Sequence, residues 1–131
     1  MATRHQVREA VISLLYAEEM GSEMEEFKYD FLEEHKIRNN QKDFALKLFE
    51  GINEKLEGID EIINSYLKEY KLNEIGSMER AILRLGTYEL KFTKTDNAVV
   101  INEAIELTKK FASETSPKFI NGVLDAISKS E

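Results

Sequence analysis

The stretch SMERAILRLGTYELKF, residues 77–92, decides the fold. At about 100° per residue, Met78, Ala81, Ile82, Leu85, Tyr88 and Phe92 share one face, and Leu83 and Leu90 widen it past half the circumference. A helix apolar on so many sides has to be surrounded by other elements, because a surface helix carries only a narrow stripe. Arg80, Arg84, Thr87 and Lys91 make the remaining polar strip. Glu79 and Glu89 fall inside or at the margin of the apolar arc, where an unpaired carboxylate is costly. Each needs a partner: an ion pair or cap within the chain, or a second protein docked beside a small residue such as Gly86.

Working outward, Thr3 is an N-cap for a helix running to about Met20, with Gly21 at its C′ position. Val7, Ala10, Val11, Leu14 and Ala17 form its core face, and Arg4 and Arg8 extend the line of Val11 and Leu15 beyond it. Two cations near the positive end of a helix dipole do not add stability. An anionic ligand at the helix start would explain them, as would a plain solvated end. Met24 to His35 reads as a short acidic covering helix with Met24, Phe27 and Phe31 spaced to bury. Asn40 reads as an N-cap with Asp43 at N3, opening a helix that Gly58 closes, with Gly51 marking close packing. Ile59, Ile62, Ile63, Tyr66, Leu67 and Tyr70 then form a fourth i, i+3, i+4 series.

Beyond the central helix, TKTDNA (93–98) supplies turn chemistry before VVINEAIELTKKFA, whose Ile101, Ala104, Ile105, Thr108 and Phe111 make another core face. Ser116 as N-cap with Pro117 at N1 starts the last helix, carried by Phe119, Ile120, Val123, Leu124 and Ile127. The reading is all-α, about seven helices. The 131 residues contain no linker-like tract and are expected to form a single domain.

Composition narrows the chemistry. Without cysteine there is no disulfide framework and no thiolate metal site, and a reducing, cytoplasmic setting is expected. No apolar run reaches the ~18 residues needed to span a bilayer, and MATRHQVREAV lacks the apolar core of a secretory signal. A Cys-His pair is impossible, and only His5 and His35 could serve a triad. The Glu-x-x-His motif of di-iron bundles is missing, and the six glycines are scattered rather than clustered in a phosphate loop. No enzyme, cofactor or metal is expected. The net charge of −7 argues against a uniformly basic nucleic-acid binder, but charge is unevenly distributed. Arg4, His5 and Arg8 stand in the first eight residues without an acid, whereas residues 18–34 hold eight acids against Lys28.

Three stretches, RHQVREAVISLLYAEEM, ERAILRLGTYEL and VVINEAIELTKKFASETSPKFINGVLDAI, closely resemble the signatures of the NusB family of transcription antitermination factors and together span nearly the whole chain. The resemblance implies two small packed helical subdomains in a single RNA-binding domain, residues 1–131. It implies a role in RNA polymerase antitermination complexes, particularly on ribosomal RNA operons, with two ligands: boxA RNA, and the ribosomal small-subunit protein that serves as NusE. Carried over by position, the RNA surface falls on Arg4, His5, Arg8, Lys109, Lys110 and Lys118, and the partner surface on Tyr16, Glu79 and Arg84. Lys109 and Lys118 can equally be read as solvated, and Phe111 and Phe119 as core. The chain departs from many relatives in a sparser N-terminal arginine cluster and in Thr115, where some carry an acid. Weak RNA binding without the partner follows. The competing readings are a helical protein scaffold without direct RNA binding, and an accessory domain of an RNA methyltransferase. The latter is disfavoured by the absence of a methyl-donor fold within the chain.

Overall fold

The computed structural model describes residues 2–112 and 116–130. Among the described residues seven α-helices follow one another: α1 Arg4–Glu19, α2 Met24–Glu34, α3 Asn39–Glu54, α4 Leu56–Tyr66, α5 Ser77–Phe92, α6 Asn97–Phe111 and α7 Ser116–Ser128. A single 3-10 turn, Leu72–Glu74, precedes α5. No strand occurs among the described residues.

Helix α5 is the axle. It packs against α1, α3, α4, α6 and α7, and Ala81, Ile82, Leu83, Leu85 and Tyr88 lie in one continuous core with residues from all six other helices. On one side α3 and α2 lie on α1; on the other α6 packs on α7, which also meets α4. Two glycines let helices approach closely. A Cβ on Gly86 would lie 2.8 Å from Leu124 Cδ1, and one on Gly51 would collide with the Tyr88 hydroxyl. Gly51 therefore marks close packing, as its sequence context suggested. Gly86 is occupied by α7, so it offers no foothold for a second protein.

Local signals explain the ends of α1. Thr3 Oγ1 accepts the Gln6 N–H and Gln6 Oε1 accepts the Thr3 N–H, a reciprocal capping box. Gly21 takes φ +100°, the left-handed region open to glycine. The middle of the chain departs from expectation. Arg38, not Asn40, occupies the N-cap of α3, and Asn39 takes a left-handed φ of +56°. The break between α3 and α4 falls at Lys55, whose backbone leaves the helical region, while Gly58 lies inside α4. Helix α4 stops at Tyr66 because the chain turns there: Asn64 Oδ1 accepts the Leu72 N–H at 2.8 Å and anchors the return. Tyr70, expected on the core face, is 59% exposed.

The polar strip of α5 is not a solvated strip either. Thr87 is fully buried and its hydroxyl has no hydrogen-bond partner among the described residues. Lys91 donates to the Ser130 carbonyl and hydroxyl. Arg80 donates to the carbonyls of Leu72 and Ile75 and pairs with Glu19, tying the 3-10 turn and the end of α1 to α5. Burial, with the nearby positive charge of Arg84 second, lowers the Arg80 pKa.

Candidate nucleic-acid interface

The first turn of α1 carries Arg4 and His5, and its second carries Arg8; the three have different surroundings. Arg4 is exposed and its guanidinium lies 4.1 Å from the centre of the Phe44 ring on α3, a cation–π contact that leaves the cation open to water and ligands. Arg8 is only 3% exposed. Its Nε donates to both carboxylate oxygens of Glu89 at 3.1 and 2.9 Å, its Nη2 donates to Glu89 Oε1 at 3.0 Å, and its Nη1 donates to Glu103 Oε1 at 3.1 Å. Burial is the largest influence and lowers the Arg8 pKa, but hydrogen bonds and charges from Glu89 and Glu103 together raise it above its ordinary value. The expectation of a core that ends before Arg8 is therefore corrected. The core continues as an ion pair, and the partner demanded by Glu89 is Arg8.

The network runs on to the surface. Glu103 Oε1 also lies 3.0 Å from His5 Nδ1, and His5 Nε2 is 3.5 Å from Glu9 Oε2. Lys110, near the end of α6, donates to Glu9 at 2.8 Å. A continuous chain of polar contacts therefore joins Glu89, Arg8, Glu103, His5, Glu9 and Lys110 across α5, α1 and α6. Arg4, His5 and Lys110 form an outward rim on this base. Lys109, on the same helix end, is exposed and pairs with Glu106 at 3.3 Å.

Lys118 belongs to another surface. It lines a cleft of about 850 Å³ between the end of α4, the following loop and α7, together with Tyr70, Glu79, Ser116 and Phe119. Phe119 is 39% exposed, not a core residue. The core stripe of α7 runs Ile120, Val123, Leu124, Ile127, and this i, i+3, i+4, i+7 series already places Phe119 at its edge. Glu79 accepts a hydrogen bond from Ser116 Oγ at 2.7 Å and curls over Gly76, stitching the start of α5 to the start of α7. Glu114 and Thr115 lie outside the described residues.

The expected partner residues divide in the same way. Tyr16 is 37% exposed on α1. Arg84, in contrast, forks onto Asp60 of α4, Nε to Oδ1 and Nη2 to Oδ2 at 2.9 Å each. Its planar face of donors is already taken within the chain. Among the described residues, no group of three or more His, Asp or Glu side chains is placed to hold a metal ion. No described helix is long and apolar enough to cross a membrane.

The sequence profile of the NusB family matches residues 5–129. The chain belongs to the NusB family. Transcription antitermination protein NusB of Campylobacter fetus subsp. fetus is 64% identical over 129 residues, 98% of either chain. That of Campylobacter jejuni is 58% identical over 131 residues, 100% of this chain and 99% of the relative. Among solved structures, T. maritima NusB superimposes with a TM-score of 0.92 at 37% identity, covering 99% of this chain and 93% of that one. A structure of the antitermination factors NusB and NusE in complex with dsRNA gives a TM-score of 0.87 at 34% identity, covering 98% and 97%.

Proposed function

We propose that this chain is a transcription antitermination factor that joins boxA-type RNA to the ribosomal small-subunit protein NusE, within RNA polymerase complexes transcribing ribosomal RNA operons. The observation that carries the reading is family membership over residues 5–129, with relatives that include NusB solved together with NusE and RNA. The geometry supplies a rationale for the RNA side. Arg4 and Lys110 supply exposed cations to a rim that includes His5, Lys109 extends it along α6, and Lys118 with Phe119 offers a cation beside an aromatic face on α7. Arg8 acts from behind, holding α1 against α5 and α6 so that the rim keeps its shape. Glu79 and Tyr16 are proposed to meet the partner protein. Arg84 is proposed to act there through Asp60, by fixing α4 on α5.

Because the exposed cations are few and several are paired with acids, RNA affinity is expected to be low for the chain alone and higher with the partner present. The test is binding of boxA-containing and scrambled RNA, with and without NusE. Preferential, partner-enhanced binding of boxA supports the proposal. A stable complex with NusE and no RNA binding in any combination would leave the protein-scaffold reading instead.

A further inference from the structure

A second cleft, of about 510 Å³, opens beside the first turns of α1 and is walled by the end of α2, the α2–α3 connection and the end of α6. Gln6, Glu9, His35, Lys36, Lys110 and Phe111 are among its lining residues. His35 stacks on Phe31 with ring centres 4.1 Å apart. A carbonyl oxygen can only accept, so the 2.9 Å contact of His35 Nδ1 with the Phe31 carbonyl fixes the proton on Nδ1 and holds the ring in place. The imidazole is exposed beyond the stack. Lys36 is also exposed, in a left-handed backbone conformation at φ +58°, and Lys110 reaches Glu9 across the cleft. An aromatic face held from behind, two cations and the amide of Gln6 in one cleft fit a nucleotide: a flat base for the ring, an anion for the lysines.

We propose that this cleft holds one nucleotide of single-stranded RNA, its base against His35 and its phosphate between Lys36 and Lys110, and that Glu9 is the resident anion this phosphate displaces from Lys110. The proposal rests on the RNA-binding reading above and extends the RNA path from the rim at Arg4 to the α2–α3 connection. In the free protein Glu9 answers the charge of Lys110 and faces His5. Each phosphate that enters has to replace that carboxylate, so Glu9 sets a threshold that weak, non-specific RNA does not cross.

The experiment is a salt titration of binding to a boxA-containing single-stranded RNA by the full chain with its partner protein, for the wild type, His35→Ala, Lys36→Asn and Glu9→Gln. Asparagine keeps a residue tolerant of the left-handed region at position 36. His35→Ala is expected to weaken binding roughly 5- to 100-fold with no change of salt slope, the mark of lost stacking. Lys36→Asn is expected to flatten the slope by about 0.7, one single-strand phosphate contact. Glu9→Gln is expected to tighten binding and steepen the slope. If the wild type binds RNA and the His35 and Lys36 variants bind identically, the cleft is not on the RNA path. If Glu9→Gln weakens binding, Glu9 positions Lys110 instead of masking it, and the displacement is wrong. Failure of the wild type to bind any RNA is a separate result that overturns the RNA reading and this proposal with it.

Discussion

The Arg8 guanidinium grips both oxygens of Glu89, a residue 81 positions away in sequence, where the two side chains are 4% and 2% exposed. The pair joins α1 to α5 in the middle of an apolar core, and Glu103 of α6 completes it. Removing one partner leaves the other charge buried and uncompensated, which typically costs 3–5 kcal/mol. Arg8→Ala and Glu89→Ala are therefore each expected to lower stability by about that amount in urea unfolding. An Arg8→Met/Glu89→Leu double variant should recover part of the loss, because two apolar side chains of similar volume remove the unpaired charge between α1 and α5, while Glu103 keeps only its contact with His5.

Arg8 also gives a signed pH expectation. Its folded-state pKa is raised above the ordinary arginine value, so its ionic contribution is fully present below the unfolded value and is lost only as pH rises through the raised one. Stability measured from neutral pH to about pH 11 should show no loss assignable to this arginine.

Arg84→Ala separates a fixing role from a contact role. The Arg84–Asp60 pair is partly exposed, 18% and 28% for the two side chains, so its loss should cost about 1 kcal/mol of folding free energy. Asp60→Asn should cost a similar amount and should weaken NusE binding in parallel if Arg84 acts through Asp60. Partner binding lost in Arg84→Ala but intact in Asp60→Asn would instead make Arg84 a direct contact.

Glu79→Ala is expected to weaken partner binding by roughly 1–3 kcal/mol if the carboxylate makes a desolvated, charged hydrogen bond across the interface. Its contact with Ser116 supplies the competing explanation, a stitch between α5 and α7. Calorimetry of partner binding beside thermal unfolding tells them apart. Unfolding at lower temperature with unchanged affinity assigns Glu79 to the stitch.

Gly51→Ala should destabilise the fold by about 1–3 kcal/mol, the usual range for overpacking, although alanine is the better helix former by about 1 kcal/mol. The added methyl meets the Tyr88 ring and hydroxyl, which are themselves confined in the core. A midpoint in chemical denaturation equal to or above that of the wild type would show that Tyr88 can move aside.

What the sequence made legible were the features written locally. Thr3 as N-cap and Gly21 after the last turn mark the two ends of α1. The broad apolar arc of α5 identified the central helix because it needs no partner to be seen. Non-local features were hidden. Gly58 was the stronger local stop signal, yet the break fell at Lys55, and Tyr70 kept the period of α4 after Asn64 had turned the chain away. Arg4 and Arg8 occupy equivalent places on a helical wheel, and only Glu89 and Glu103, far along the chain, separate an exposed cation from a buried one. The same holds for Arg84, whose partner Asp60 lies on another helix. Periodicity reports which face is apolar, not which charge waits on the opposite element.

The rim at the start of α1 and the end of α6 is proposed to meet RNA phosphate. The most direct test is the dependence of boxA RNA affinity on salt, measured with the partner protein for the wild type and for Arg4→Ala/Lys110→Ala. Both side chains are exposed, so the variant should fold. At about 0.7 per single-strand phosphate contact, the predicted result is weaker binding and a slope of log affinity against log salt flatter by roughly 0.7 to 1.4, less than two full contacts to the extent that Glu9 already answers Lys110. Unchanged affinity and unchanged slope in a folded variant would contradict the account and place the RNA elsewhere on the protein.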